Sequence, residues 1–249
     1  MRKSIKILLA ILLVLIIAGA GFVIWANGAP APMPEAMAAL QSDQDVNVTV
    51  GDWLVFKPAN GSYETGYIFY SGGKVDYRSY APYANEIAKQ GYLVVIPKMP
   101  LNLAVFSPNI AGEVIAAFPE VKNWALGGHS LGGSMASSFI FSTPEFNGAL
   151  VLLASYPASS NDLSTRSGLI AYSISGSNDG LATPEKIKAS YPLLPPSTVF
   201  VEIKGGNHAQ FGWYGSQSGD LPADISREDQ QMQVVQLTLD ALIALENGK

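Results

Sequence analysis

The chain has 249 residues with 15 Lys+Arg against 20 Asp+Glu and no cysteine, enough for one substantial core. The missing thiols exclude a disulfide framework, a thiolate metal site and a thiol-linked lipid anchor. Setting aside Arg2, Lys3 and Lys6 leaves 12 of the 15 basic residues against 20 acidic ones. That balance argues against nucleic acid or anionic headgroups as main partners of the remainder.

The chain opens with a basic head, Met1-Arg2-Lys3-Ser4-Ile5-Lys6, followed by an uncharged apolar stretch from Ile7 to Ala26. As a helix, this stretch spans about 30 Å, the thickness of a bilayer's hydrocarbon. The three positive charges precede it and none follows until Lys57, so the basic end is expected in the cytoplasm and the rest outside it. Trp25 falls where an interfacial aromatic would hold the far end. A cleaved signal peptide, giving a secreted product, competes through the small-residue sites Ala18-Gly19-Ala20 and Ala29-Pro30-Ala31. The length of the apolar run favours an uncleaved anchor over residues 1–27. Residues 28–45, rich in Pro and Ala, read as a stiff spacer holding a folded domain, 46–249, off the membrane.

Within that domain Val46–Val50 alternates in period two, and Trp53–Phe56 follows a Gly-Asp turn, which predicts an edge hairpin. From Tyr67 onward, apolar runs alternate with helical patterns. Strands are expected at Tyr67–Tyr70, Tyr92–Ile96, Trp124–Leu126, Ala149–Ala154, Leu169–Ile174 and Thr198–Ile203. Helices are expected near Tyr77–Gln90, Ala111–Phe118, Ser134–Phe141, from Thr183-Pro184-Glu185, and over Arg227–Glu246. The last should bury Met232, Val235, Leu239, Leu242 and Ile243. Continuous apolar strands suit a mostly parallel sheet covered by helices on both faces, with the ligand site at the strands' carboxyl ends.

The chemistry-bearing segment is Gly127-Gly128-His129-Ser130-Leu131-Gly132-Gly133, between a predicted strand and a predicted helix. A serine hydroxyl becomes a useful nucleophile only when its backbone lifts it clear and a base takes its proton. Gly128-x-Ser130-x-Gly132 has the form of the sharp strand-to-helix turn that does the lifting. Of the two histidines, His129 is directed away from the serine by its backbone, leaving His208 in Gly205-Gly206-Asn207-His208 as general base. Asp179, after the strand ending at Ile174, is the candidate to orient that imidazole. Its rivals are Asp162, in a polar turn, and Asp220 and Asp224, which follow the histidine. Oxyanion donors are expected from Leu131 N–H and from Ser71-Gly72-Gly73, with Gly73 first and Gly72 close behind.

These residues resemble the α/β-hydrolase superfamily, and within it the small, cap-poor, dienelactone-hydrolase-like members. The likeness covers about Val46 to Leu245. It rests on Tyr70-Ser71-Gly72-Gly73-Lys74-Val75-Asp76, Gly127–Gly133, Gly176-Ser177-Asn178-Asp179-Gly180 and Gly205–Gly212. The resemblance implies an α/β-hydrolase fold and a Ser130, Asp179, His208 triad, in the order that group uses. Two departures stand out: Ser71-Gly72 replaces the usual His-Gly of the oxyanion loop, and the nucleophile is serine where true dienelactone hydrolases have cysteine. Fourteen residues, Ser155 to Gly168, leave no room for a helical cap, so an open site is expected. Candidate walls are Met99, Leu101, Leu103, Phe106, Phe211, Trp213 and Tyr214, with packing an equal explanation for each.

The expectation is a membrane-anchored, extracytoplasmic carboxylic ester hydrolase using an acyl-enzyme, without metal or organic cofactor, on a small-molecule ester. Lipase, thioesterase and amidase chemistry use the same apparatus, and a hydrolase-fold binding module without turnover is the alternative of another class. Oligomeric state is not readable from the sequence.

Overall fold

A computed structural model describes residues 3–248. Helix α1 (Lys3–Asn27) is followed by a short helix α2 (Pro34–Ala38) and the hairpin β1 (Val46–Val50) and β2 (Trp53–Pro58). Alternation then sets in: β3 (Thr65–Tyr70), α3 (Ala81–Lys89), β4 (Leu93–Pro97), α4 (Ile110–Ala117), β5 (Asn123–His129), α5 (Leu131–Ser142) and β6 (Ala149–Leu153). β7 (Ile170–Gly176), α6 (Pro184–Ala189), β8 (Val199–Ile203) and α7 (Arg227–Asn247) complete the domain. The eight strands lie in the order β1-β2-β4-β3-β5-β6-β7-β8. β1–β2 and β2–β4 pair antiparallel, and every other pairing is parallel. This is the mostly parallel, helix-flanked sheet expected from the sequence.

Strand pleating sorts the apolar residues into two cores. Tyr67, Phe69, Ala125, Val151 and Leu153 face α3 and α7, whereas Ile68, Tyr70, Leu126, Leu150 and Leu152 face α4 and α5. β3 and β6 are buried along their whole length, which is why they read as continuous apolar or aromatic runs. The expected helix from Tyr77 divides into a 3-10 turn, Tyr77–Tyr80, and α3. Asp76 caps the first turn through Arg78 N, and Pro82 suits only the first turn of the second.

Of the residues expected to face inward from α7, Leu242 is buried and Val235 and Leu239 pack against the core, but the buried face is turned toward Val234, Thr238 and Ala241. The helix buries Val234, Thr238, Ala241, Leu242 and Leu245, while Met232 and Ile243 are 65% and 46% exposed. The cause is polar. Gln230 accepts from Asn207 N (3.0 Å) and donates to Asn207 O (2.8 Å), and Gln231 donates to Gln210 O (2.6 Å). These bonds turn the helix's first turns by their glutamine face toward the loop carrying His208, and the apolar stripe follows.

α1 is apolar and long enough to cross a bilayer, and its side chains from Ile5 to Trp25 are exposed. Its end packs against the domain: Ala26 is fully buried, and the Phe22 and Phe106 rings meet edge-on at 6.2 Å. The segment after it was expected to hold the domain at a distance, but it folds onto the domain instead. Met33 N donates to Trp213 O (2.8 Å), and Ala36 in α2 is fully buried. Half-buried Met33 and buried Ala36 and Leu40 explain this, since they find cover against the domain that a solvated polyproline rod would not give them.

Buried hydroxyls tie α7 to the sheet. Thr238 Oγ1 lies 2.8 Å from Tyr83 Oη, which donates to Tyr67 Oη at 3.0 Å. Thr238→Val keeps the shape but removes one of the two hydroxyl partners of Tyr83, and is expected to lower stability by about 1 kcal/mol in denaturant melts.

Candidate active site

Ser130 joins β5 to α5 with φ 52° and ψ −122°, a backbone that a side chain rarely tolerates. The turn is sharp because strand and helix nearly touch. A Cβ on Gly128 would lie 2.5 Å from the Gly132 carbonyl carbon, and one on Gly132 would overlap the Tyr70 and Ser71 carbonyl oxygens. Hydrogen bonds hold the strained residue: Ser130 N donates to Leu153 O (2.9 Å), and Ser130 O accepts from Ser155 Oγ (2.6 Å) and Ser134 N (3.2 Å).

Asp179 and His208 stand after β7 and β8, at the same sheet edge as Ser130. His208 Nδ1 and Asp179 Oδ2 are 2.8 Å apart, and both side chains are buried. Asp179 Oδ1 accepts from Leu181 N (2.8 Å) and Ala182 N (2.7 Å). A carboxylate so satisfied only accepts, so Nδ1 carries the imidazole proton and Nε2 keeps a free lone pair. Nε2 is buried and has no hydrogen-bond partner among the described residues. Ser130 and His208 line one cavity of about 310 Å³.

The rival aspartates do other work. Asp220 accepts from His208 N (3.2 Å), Ala209 N (2.8 Å) and Gly180 N (3.1 Å), which staples the Asp179 and His208 loops together. Asp224 accepts from Asn178 Nδ2 (2.9 Å), and exposed Asp162 closes a turn through Ser164 N (2.8 Å). The Arg227 guanidinium donates to the carbonyls of Ala209, Gly212 and Gly215, clamping the chain beyond His208. Nothing in the sequence marks Asp220 or Arg227 for these roles, because their partners are backbone groups.

The His129 ring lies against His208, with centroids 4.4 Å apart, and is fully buried. Tyr80 Oη accepts from Gly72 N (3.0 Å) and sits 2.8 Å from His129 Nδ1. Burial, then the neighbouring His208, pushes the His129 pKa well below the ordinary value.

Gly72 N is therefore taken, whereas the N–H groups of Gly73 and Leu131 have no hydrogen-bond partner among the described residues. The two are neighbours: a Cβ on Gly73 would lie 3.0 Å from Leu131 Cδ2. Among the described residues, no group of three or more His, Cys, Asp or Glu could hold a metal ion.

Residues 66–232 match the model of the alpha/beta hydrolase family. The chain belongs to that family. Solved structures share the hydrolase fold at low identity. A predicted CIB-like hydrolase from Thermoplasma acidophilum aligns with a TM-score of 0.60 at 14% identity, over 78% of this chain and 99% of its own. Est1E from Butyrivibrio proteoclasticus aligns with a TM-score of 0.53 at 14% identity, covering 80% and 99%. MGS-MChE2, from the metagenome of Mar Chica lagoon sediments in Morocco, aligns with a TM-score of 0.54 at 20% identity, covering 78% and 98%. No curated protein matches the chain.

In this alpha/beta hydrolase the cavity walls differ from those expected. Leu131, Ala154, Tyr156, Leu181 and Ala182 line it, with Ser134 and Ser155. Phe211, Trp213 and Tyr214 are buried instead, Phe211 stacking on His129 at 5.7 Å. Met99 and Leu103 are buried outside the cavity, Leu101 is half-buried, and Phe106 meets α1. Tyr156 and Leu181 escaped the sequence reading because they lie in irregular loops without periodicity.

His129 makes stability depend on pH. An unfolded chain protonates it below the ordinary value of 6.5, whereas the folded chain keeps it neutral well below that. The unfolded state then binds more protons, so stability present above 6.5 is lost as pH falls. The expected slope is about 1.4 kcal/mol per pH unit for this one group. His129→Gln should flatten that acid limb in denaturant melts taken at several pH values.

Proposed function

We propose that this hydrolase is a membrane-anchored serine hydrolase of carboxylic esters, with Ser130, His208 and Asp179 as its triad. The observation that carries the reading is the strained Ser130 opening on the same cavity as a buried, hydrogen-bonded Asp179–His208 pair. Ser130 Oγ attacks the acyl carbon as His208 Nε2 takes its proton. Asp179 holds the ring and offsets the charge of the imidazolium. Leu131 and Gly73 N–H groups receive the oxyanion, a role supported by their lack of other partners among the described residues. His208 returns the proton to the departing alkoxide. It then deprotonates the water that releases the carboxylic acid, and Ser130 regains its hydrogen.

Residues 1–27 serve as the anchor and 46–249 as the hydrolase domain, joined by 28–45. The basic head keeps the amino terminus cytoplasmic and the catalytic domain outside. The apolar lining of Leu131, Ala154, Tyr156 and Leu181 suits an acyl or alcohol group of modest size. Est1E also appears in a structure with ferulic acid bound, which makes aryl esters sensible first substrates.

A fluorophosphonate probe should label the folded chain at Ser130 and fail on Ser130→Ala. Absence of labelling in folded protein would point to a binding module instead. Asp179→Asn should keep the fold by circular dichroism yet lower kcat on p-nitrophenyl esters by about a thousandfold or more.

A further inference from the structure

We propose that the rim over residues 101–106 lies in the lipid–water interface, and that the site draws its ester from the bilayer. The substrate class is an amphiphile whose acyl carbonyl rests near headgroup depth. The proposal rests on the anchored-hydrolase reading and deepens it.

The anchor ends against the site. The Trp25 ring, where the apolar helix finishes, lies 4.3 Å from Lys74 Nζ, and Lys74 directly follows Gly73. Lys74 N donates to Asn102 O (2.8 Å), and Asn102 Nδ2 reaches Ala26 O at 3.5 Å. An interfacial tryptophan marks the headgroup level, so the oxyanion loop is one side chain away from it. The following segment cannot lift the domain clear, because Met33 is bonded to Trp213 and Ala36 is fully buried.

The surface beside this junction is apolar. Val105 and Phe106 are 44% and 51% exposed, and the Phe106 ring meets Phe22 of the helix at 6.2 Å. An apolar patch continuous with a membrane helix is costly in water and stable among lipid. From the rim the path to the nucleophile is short. A Cβ on Gly73 would lie 3.7 Å from Leu103 Cδ2 and 3.0 Å from Leu131 Cδ2, and Leu131 shares the cavity of Ser130. The acidic balance of the domain favours a neutral, zwitterionic surface over an anionic one.

The chain holds no cysteine, so Val105→Cys gives a single labelling site. Val199→Cys, at the amino end of β8 and 39% exposed, gives a control at the opposite pole of the sheet. The full chain, reconstituted in phosphatidylcholine vesicles, would carry a polarity-sensitive NBD label. At 105 the emission should shift blue and be quenched by doxyl-labelled lipid, and at 199 it should do neither. Val105→Asp should slow p-nitrophenyl myristate dissolved in the vesicles by about tenfold, as loss of one lipid-buried aliphatic group predicts. Water-soluble p-nitrophenyl acetate should change by no more than about twofold, as for a surface substitution.

A label at 105 that behaves like the one at 199, in a chain that floats with vesicles, overturns the proposal alone. So does an equal loss on both esters. A chain that fails to float overturns the anchor and the proposal with it, whereas a floating chain inert on both esters overturns the hydrolase reading and the substrate claim.

Discussion

The near-contact of β5 with α5 governs this molecule's candidate chemistry. With no room for a side chain at Gly128 against α5, or at Gly132 against the end of β3, the connecting residue turns through a left-handed backbone, and Ser130 takes it. Such a conformation costs on the order of 1–3 kcal/mol and persists only where its surroundings over-determine it. Here they do so with three hydrogen bonds from β6, α5 and Ser155. The parallel sheet supplies the rest. Strands running the same way deliver the ends of β3, β5, β7 and β8 to one edge, so residues far apart in sequence become neighbours without a dedicated loop between them.

The loops at that edge are held by charged side chains that bond to backbone. Asp179 spends one carboxylate oxygen on two N–H groups and the other on His208. Asp220 binds N–H groups from both loops, and Arg227 closes three carbonyls behind them. A buried carboxylate is destabilising unless its lone pairs are filled. In Asp179 they are filled by the groups whose positions matter most, so satisfying the charge and fixing the imidazole are one event.

How much of this could be read from the chain depends on what kind of signal each residue leaves. Apolar runs such as Ala149–Leu153 announce buried parallel strands, and small residues around Ser130 announce a sharp turn, because both follow from local sterics. Strand ends in turn predict which loops meet. Three features were not legible. The setting of α7 depends on Gln230 and Gln231 reaching Asn207 and Gln210, bonds between residues that carry no shared pattern. The cavity walls come from loop residues such as Tyr156 and Leu181, and the aromatics after His208 turn inward to support it. The docking of residues 28–45 depends on a partner surface, Trp213 and its neighbours, that exists only once the domain has folded.

The placement of His129 shows why a second histidine beside the first does not compete with it. A protonated ring with its centroid 4.4 Å from that of His208 would oppose any positive charge on His208. Burial removes that possibility by pushing the His129 pKa well below its ordinary value, so that ring stays neutral. The Tyr80 phenol accepts from Gly72 N. That bond occupies Gly72 N, whereas Gly73 N has no partner among the described residues. One tyrosine, in the 3-10 turn before α3, thereby ties His129 to the loop that carries Gly72. Its pKa is pushed up by burial, so the phenol stays protonated between Gly72 and His129.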